Sequence, residues 1–136
     1  MNPIGHHAAL IYTMVVVSAS DGNMSEKELR AIGAIVQTLP VFRDFDEDRL
    51  LATSQECAAI LDEDEGLDAV LGLIRNTLPE HLRETAYWLA LEVALSDSHV
   101  MLEEIRVLEL IRRALGLDRL VSAALERAAR ARYQTA

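Results

Sequence analysis

The 136-residue chain has little glycine, proline or cysteine. Six glycines and three prolines leave few turn-forming positions, and alanine and leucine dominate the rest, which favours helices over strands. The single cysteine, Cys57, excludes an internal disulfide and is typical of a reducing compartment or of a small core residue. The composition therefore predicts an all-α protein.

Positive charge is also scarce, because 13 Lys and Arg face 22 Asp and Glu, for a net charge of −9. Such a chain neutralises few phosphates, so we expect no nucleic-acid partner. No apolar run reaches the roughly 20 residues that span a bilayer, so we expect no direct membrane insertion. No Lys or Arg precedes Lys27, so the apolar run Ala8–Ala19 lacks the positive start of a signal peptide. We expect a cytoplasmic protein with one domain over residues 1–136, a length that suffices for a single core.

The chain repeats part of its own pattern at an offset of 76 residues. Residues 17–39 and 93–115 share seven identities, where random pairing gives roughly one or two. The identical pairs are Val17/Val93, Ser20/Ser96, Asp21/Asp97, Glu28/Glu104, Arg30/Arg106, Ile35/Ile111 and Leu39/Leu115. The sequence therefore predicts an internal two-fold repeat, roughly 8–39 and 84–115.

Apolar residues spaced three and four apart predict a bundle of about seven helices. The helices are expected near residues 6–20, 25–39, 47–61, 67–78, 79–96, 101–115 and 117–133. The first is mostly apolar and is predicted to be central. The buried stripes of the second and sixth include Leu29 and Ile105. The apolar side of the last helix is predicted to consist of Leu120, Val121, Ala124, Leu125 and Ala128.

Several single positions carry more specific expectations. Ser25 followed by Glu28 predicts a capping box, and Gly116 fits the position just after a helix. Glu92 is predicted to face solvent. The acidic run 62–65 is interpreted as a solvated loop, with a cation or partner site as the alternative.

Four carboxylates occupy matched positions in the two repeats. Asp21 and Asp97 each end one helix, and Glu28 and Glu104 lie in the first turn of the next. If the halves pack about a pseudo-twofold axis, the four groups converge and need a counter-charge to stay ionised together. Ca²⁺ or Mg²⁺ would supply it, since both prefer oxygen ligands. The sequence predicts a metal site made of Asp21, Glu28, Asp97 and Glu104.

Separate structural roles are the alternative explanation for these acids. The Ser25 capping box accounts for Glu28, and an Asx turn accounts for Asp21. However, Asp21 and Asp97 both sit at helix C-termini, where the helix dipole disfavours anions. The same departure from a local rule at two matched positions is typical of a functional site.

Motifs of enzymes and of EF-hands are missing. In an EF-hand alignment, Glu26 occupies the position of the loop glycine and Ile32 that of the terminal glutamate. The sequence has no P-loop, no dinucleotide-binding glycine pattern and no HExxH. We therefore predict a protein that is not an enzyme, with a metal-dependent hydrolase as the weaker alternative.

The combination of these residues resembles a known family. A small or apolar helix followed by Ser-Asp-Gly, a variable turn and a glutamate seven residues after the aspartate resembles the TerB-like family, named for tellurite resistance. The likeness runs over roughly Ala8–Asp118, and the second half departs from it at Ser98, His99 and Met101. It implies an all-helical fold of two similar halves. It also implies a metal-binding or metal-sensing cluster, carried over to Asp21, Glu28, Asp97 and Glu104.

The resemblance further implies a role in stress responses to tellurite, oxidants and phage, often in complexes near the inner membrane. The leading hypothesis is a non-catalytic, cation-responsive interaction module whose partners are other stress-response proteins, some of them membrane-associated. The rival hypothesis is a metal-independent helical adaptor or scaffold. The Ala-rich last helix either packs internally or forms a homodimer.

Overall fold

The computed structural model describes residues 4–20, 24–96 and 102–136. These residues form seven α-helices and two short 3-10 helices, and they contain no strand, which confirms the all-α prediction. No helix in this part of the chain is long and apolar enough to cross a membrane. The helices are α1 (His6–Ala19), α2 (Glu26–Thr38), α3 (Leu50–Leu61), α4 (Gly66–Thr77), α5 (Glu80–Ser96), α6 (Leu102–Leu115) and α7 (Arg119–Arg132); the 3-10 helices are Pro40–Phe42 and Glu47–Arg49.

Helix α1 lies at the centre of the bundle, as predicted. Every residue from Ala9 to Ser18 is buried, on all sides of the helix. The surrounding helices α2, α3, α4, α5 and α6 all contact it. A helix without a solvent-facing side has no need of an amphipathic pattern, which explains its nearly unbroken apolar sequence.

The two helix pairs α1–α2 and α5–α6 are arranged reciprocally. Helix α2 packs against α5, α6 packs against α1, and α1 and α5 pack against each other. Adding the 76-residue offset to α2 gives residues 102–114, against 102–115 observed for α6. This is the arrangement that the predicted repeat requires, while the duplication itself stays a prediction.

The predicted helix ends at Ser25 and Gly116 are confirmed. Ser25 caps α2 through its side chain, and Glu28 completes the capping box. Gly116 has a φ of +67°, a left-handed conformation that favours glycine. The N–H of Gly116 donates to Arg113 O and the N–H of Leu117 donates to Arg112 O, which is a Schellman ending.

Arg83 on α5 joins the C-terminal ends of α4 and α6. Its guanidinium donates to the carbonyls of Arg75 and Leu78 at 3.3 and 3.4 Å and to that of Leu115 at 3.2 Å. A cation at a helix C-terminus also meets the negative end of the helix dipole. One side chain therefore satisfies backbone acceptors at two helix ends.

The predicted buried stripes of α2 and α6 are wrong at one position each. Leu29 is 49% exposed and Ile105 is 53% exposed. The observed inner stripes begin one residue earlier, at Glu28 and Glu104, and continue through the apolar residues Ile32, Ile35 and Val36 of α2 and Val107, Ile111 and Leu115 of α6. In each helix the first inward position is therefore held by a carboxylate.

The predicted apolar side of α7 is wrong at three of its five residues, whereas Leu125 is half-buried against the core. Leu120 is 78% exposed, and Ala124 and Ala128 are exposed as well. Ser122 and Ala129 are the buried residues, and α7 packs mainly on α5. Alanine offers little area for burial, so polar contacts to α5, described below, set the rotation of this helix.

A candidate carboxylate site and a polar seam

Glu28 is fixed in the first turn of α2 by the capping box. Ser25 has an extended backbone, and its Oγ accepts a hydrogen bond from the N–H of Glu28 at 3.1 Å. In return, the N–H of Ser25 donates to Glu28 Oε1 at 3.1 Å. The Glu28 residue is only 5% exposed. The local sequence thus places one carboxylate, with one oxygen already engaged, at the buried end of α2.

Glu104 holds the matched position in the first turn of α6 and is only 3% exposed. Its neighbour Glu103 is exposed, so the turn itself does not force a carboxylate inward. An ionised carboxylate loses its hydration on burial and needs donors or a cation in compensation. Two of the four predicted site residues are therefore buried carboxylates at equivalent places.

Asp21 and Asp97 lie outside the described residues, so the convergence of all four carboxylates stays a prediction. Within residues 4–20, 24–96 and 102–136, no group of three or more His, Cys, Asp or Glu side chains could hold a metal. A metal site with three such side chains that includes Glu28 or Glu104 would therefore need at least one ligand from outside these residues. The oxygen donors of this set fit a hard cation such as Ca²⁺ or Mg²⁺.

The predicted solvent position of Glu92 is wrong, because the residue is only 6% exposed. On α5 it lies within the apolar run that packs against α1 and α2. Its Oε1 accepts hydrogen bonds from Arg132 Nε and, at 3.3 Å, from the hydroxyl of Tyr133. The signal in the sequence was a glutamate inside the apolar run of residues 86–95.

This buried carboxylate shifts the pKa values of both partners upward. The hydrogen bond to Glu92 raises the pKa of the Arg132 guanidinium. Burial, followed by the charge of Glu92, raises the pKa of the Tyr133 hydroxyl. Both shifts favour the protonated donors that this contact uses.

A second polar contact joins α5 to α7 six residues earlier on α7, which is nearly two helical turns. The hydroxyl of Tyr87 donates to Glu126 Oε2 at 2.5 Å. Burial, and then this hydrogen bond, raise the pKa of Tyr87. Together with the contact of Glu92, it forms a polar seam that orients the last helix.

Cys57 and His81 do not form a nucleophile–base pair. Cys57 is completely buried and His81 is exposed. Burial raises the pKa of the Cys57 thiol to about 12, so the reactive thiolate is suppressed. The interpretation of Cys57 as a core residue is confirmed.

The comparisons with known proteins agree with the fold. The family described as "Tellurite resistance protein TerB" matches residues 7–128 of the 136-residue chain. Comparison with curated proteins and with solved structures found no significant match. The match covers α1 from its second residue, all of α2 to α6 and most of α7. The chain therefore belongs to the TerB family.

Proposed function

We propose that this chain is a non-catalytic, cation-responsive interaction module of a tellurite-resistance or stress-response system. Membership of the TerB family supports the general role. The observation that supports the proposed cation site is the burial of Glu28 and Glu104 at equivalent first-turn positions of α2 and α6. The proposal places the protein in the cytoplasm, with other stress-response proteins, some membrane-associated, as its partners.

The four carboxylates of the proposal belong to two corners of the bundle. Glu28 follows the α1–α2 corner and Glu104 follows the α5–α6 corner, while Asp21 and Asp97 lie in the connecting segments. A divalent cation would supply the positive charge that lets these groups stay ionised together. The chain's own part is to hold Glu28 by the capping box and to carry both corners on packed helices. Binding then links the two corners and sets the surface presented to a partner.

A metal-independent adaptor is the second candidate, and the capping box favours it. Both hydrogen bonds between Ser25 and Glu28 are present, which alone explains a glutamate at this position. On this alternative the acids cap helices and form turns, and divalent cations leave stability unchanged.

A thermal melt with and without divalent cations tests the proposal. The protein is treated with EDTA, dialysed, and melted alone and with millimolar Ca²⁺ or Mg²⁺. A ligand that binds only the native state at 100 times its dissociation constant adds about 2.7 kcal/mol to the free energy of unfolding. For a domain of this size that raises the melting temperature by several degrees. We expect this rise in the wild type and its loss in Asp21→Asn/Asp97→Asn.

A matched control separates a specific site from general charge effects. Asp48→Asn/Asp64→Asn removes the same two negative charges at exposed positions outside the candidate site. We expect this variant to keep the full cation-induced rise. An unchanged melting temperature in the wild type, or an equal rise in all three proteins, would contradict the cation site and leave the adaptor.

A further inference from the structure

A groove between α2 and α5 lies apart from the carboxylate site. Ala31 and Ala34 line it from α2, Trp88 and Glu92 line it from α5, and residues 132–133 close one end. The groove has a volume of about 410 Å³ and is lined mainly by apolar side chains. Small residues on one wall and an aromatic residue on the other form a surface that a helix can approach closely.

A buried carboxylate lies in this groove and is paired with a cation. The Glu92 side chain is 8% exposed, whereas the Arg132 side chain that pairs with it is 58% exposed. Removal of one partner from a buried ion pair leaves an uncompensated charge and is strongly destabilising. The departure of Arg132 therefore costs least when another cation takes its place at Glu92.

The chain itself shows what the groove accepts. The guanidinium of Arg132 contacts Glu92 and lies 5.3 Å from the centre of the Tyr133 ring, within cation–π distance. Arg132 and Tyr133 lie beyond residues 7–128 that match the TerB family, while Ala31, Ala34, Trp88 and Glu92 lie within them. The walls thus belong to the family domain, and the cation comes from the end of the last helix.

We infer that the groove between α2 and α5 is a docking site for a partner's amphipathic helix that carries an arginine or lysine, and that Arg132 is its intramolecular competitor. The partner's cation pairs with Glu92. When it replaces Arg132, the buried carboxylate therefore stays paired with one positive charge. The affinity then comes from apolar contact with Trp88 and the alanine wall. The net charge of −9 attracts a basic segment over long range. The inference does not rest on a metal at the carboxylate site.

Trp88 is the chain's only tryptophan and lines the groove, so its fluorescence reports binding directly. The probe is an Ala/Leu-rich helical peptide without tryptophan and with one central arginine; a second peptide has glutamine there. A tethered competitor acts at a high effective concentration, so we expect Arg132→Ala to bind the arginine peptide roughly tenfold more tightly than the wild type. The arginine peptide should bind this variant more tightly than the glutamine peptide. Glu92→Gln in the same variant should abolish that preference.

Arg130→Ala is the matched control. It removes an exposed arginine from the same helix, two residues away and outside the groove, and should keep wild-type affinity. Ala34→Phe fills the groove at an exposed position and should abolish binding, also in a chain that keeps Arg132. Equal affinity of Arg132→Ala and Arg130→Ala, absence of a preference for the arginine peptide, or wild-type binding by Ala34→Phe would each overturn the inference.

Discussion

The thiol of Cys57 is completely buried on α3, and it donates a weak hydrogen bond to the Tyr12 carbonyl of α1 at 3.9 Å. Burial raises its pKa to about 12, whereas a cysteine in an unfolded chain titrates near 8.5. Above pH 8.5 the unfolded chain therefore loses this proton before the native one. The contribution of Cys57 to stability is complete below that pH and decreases as the pH rises toward 12.

We predict that native Cys57 does not react with iodoacetamide at pH 9, because it is both inaccessible and protonated. In urea above the unfolding midpoint, the same thiol should be alkylated within minutes, since it is exposed and largely thiolate. Mass spectrometry of the quenched samples measures the modified fraction. Rapid modification of the folded protein at pH 9 would show that α3 opens readily from α1.

At the scale of elements, the turn between α3 and α4 is tight enough to require glycine. Glu65 has a left-handed backbone with a φ of 56°, and Gly66 follows as the first residue of α4. A Cβ on Gly66 would lie 2.1 Å from the carbonyl oxygen of Ile60 and 2.8 Å from backbone atoms of Leu61. Because these atoms are backbone, the end of α3 would have to move. The predicted acidic loop 62–65 is thus a compact helix-to-helix connection.

Gly66→Ala should therefore lower the free energy of unfolding by about 1–3 kcal/mol, the usual effect of overpacking. Gly72→Ala is the matched control inside α4, where an added Cβ meets nothing within 4 Å. That substitution should raise the free energy of unfolding by roughly 0.5–1 kcal/mol, because alanine loses less backbone entropy in a helix. Urea denaturation of the three proteins measures both changes. Similar stabilities for the two variants would contradict the close approach at Gly66.

Helix positions could be predicted from the sequence, but helix rotation could be predicted only where apolar area determines it. The spacing of Ile32, Ile35 and Val36 placed α2 correctly apart from Leu29, because the capping box turns Glu28 inward instead. In α7 the alanines bury too little area to indicate which side of the helix faces the bundle. The partners of Glu126 and Arg132 are 39 and 40 residues away in sequence, and helical periodicity carries no information on such contacts.

Of the candidate site, the sequence predicted which carboxylates occupy matched positions, and two of them proved to be buried. It could not predict the groove between α2 and α5, because Glu92 meets Arg132 only after both helices have packed on the bundle. A charged residue inside an apolar run is the one local sign of such a contact. Its interpretation as a solvent-facing residue ignored that its neighbours on α5 are all buried.

At the scale of the whole molecule, the central position of α1 predicts that the bundle unfolds as a single cooperative unit. Its residues from Ala9 to Ser18 are buried, and five other helices pack around it. A cavity in α1 therefore weakens contacts on every side at once, whereas α7 depends mainly on α5. Helices that share one central partner are expected to unfold together.

Leu10→Ala tests this cooperativity, because Leu10 is completely buried in α1. Removal of a buried leucine side chain typically lowers the free energy of unfolding by about 2–5 kcal/mol. Leu51→Ala, at a leucine of α3 that is 69% exposed, should change it by no more than about 0.5 kcal/mol. Urea unfolding is followed by helical circular dichroism and by the fluorescence of Trp88 on α5. If α1 unites the bundle, both signals shift to the same lower midpoint in Leu10→Ala with an unchanged slope. Separate midpoints would show instead that α5 and its neighbours stay folded without α1.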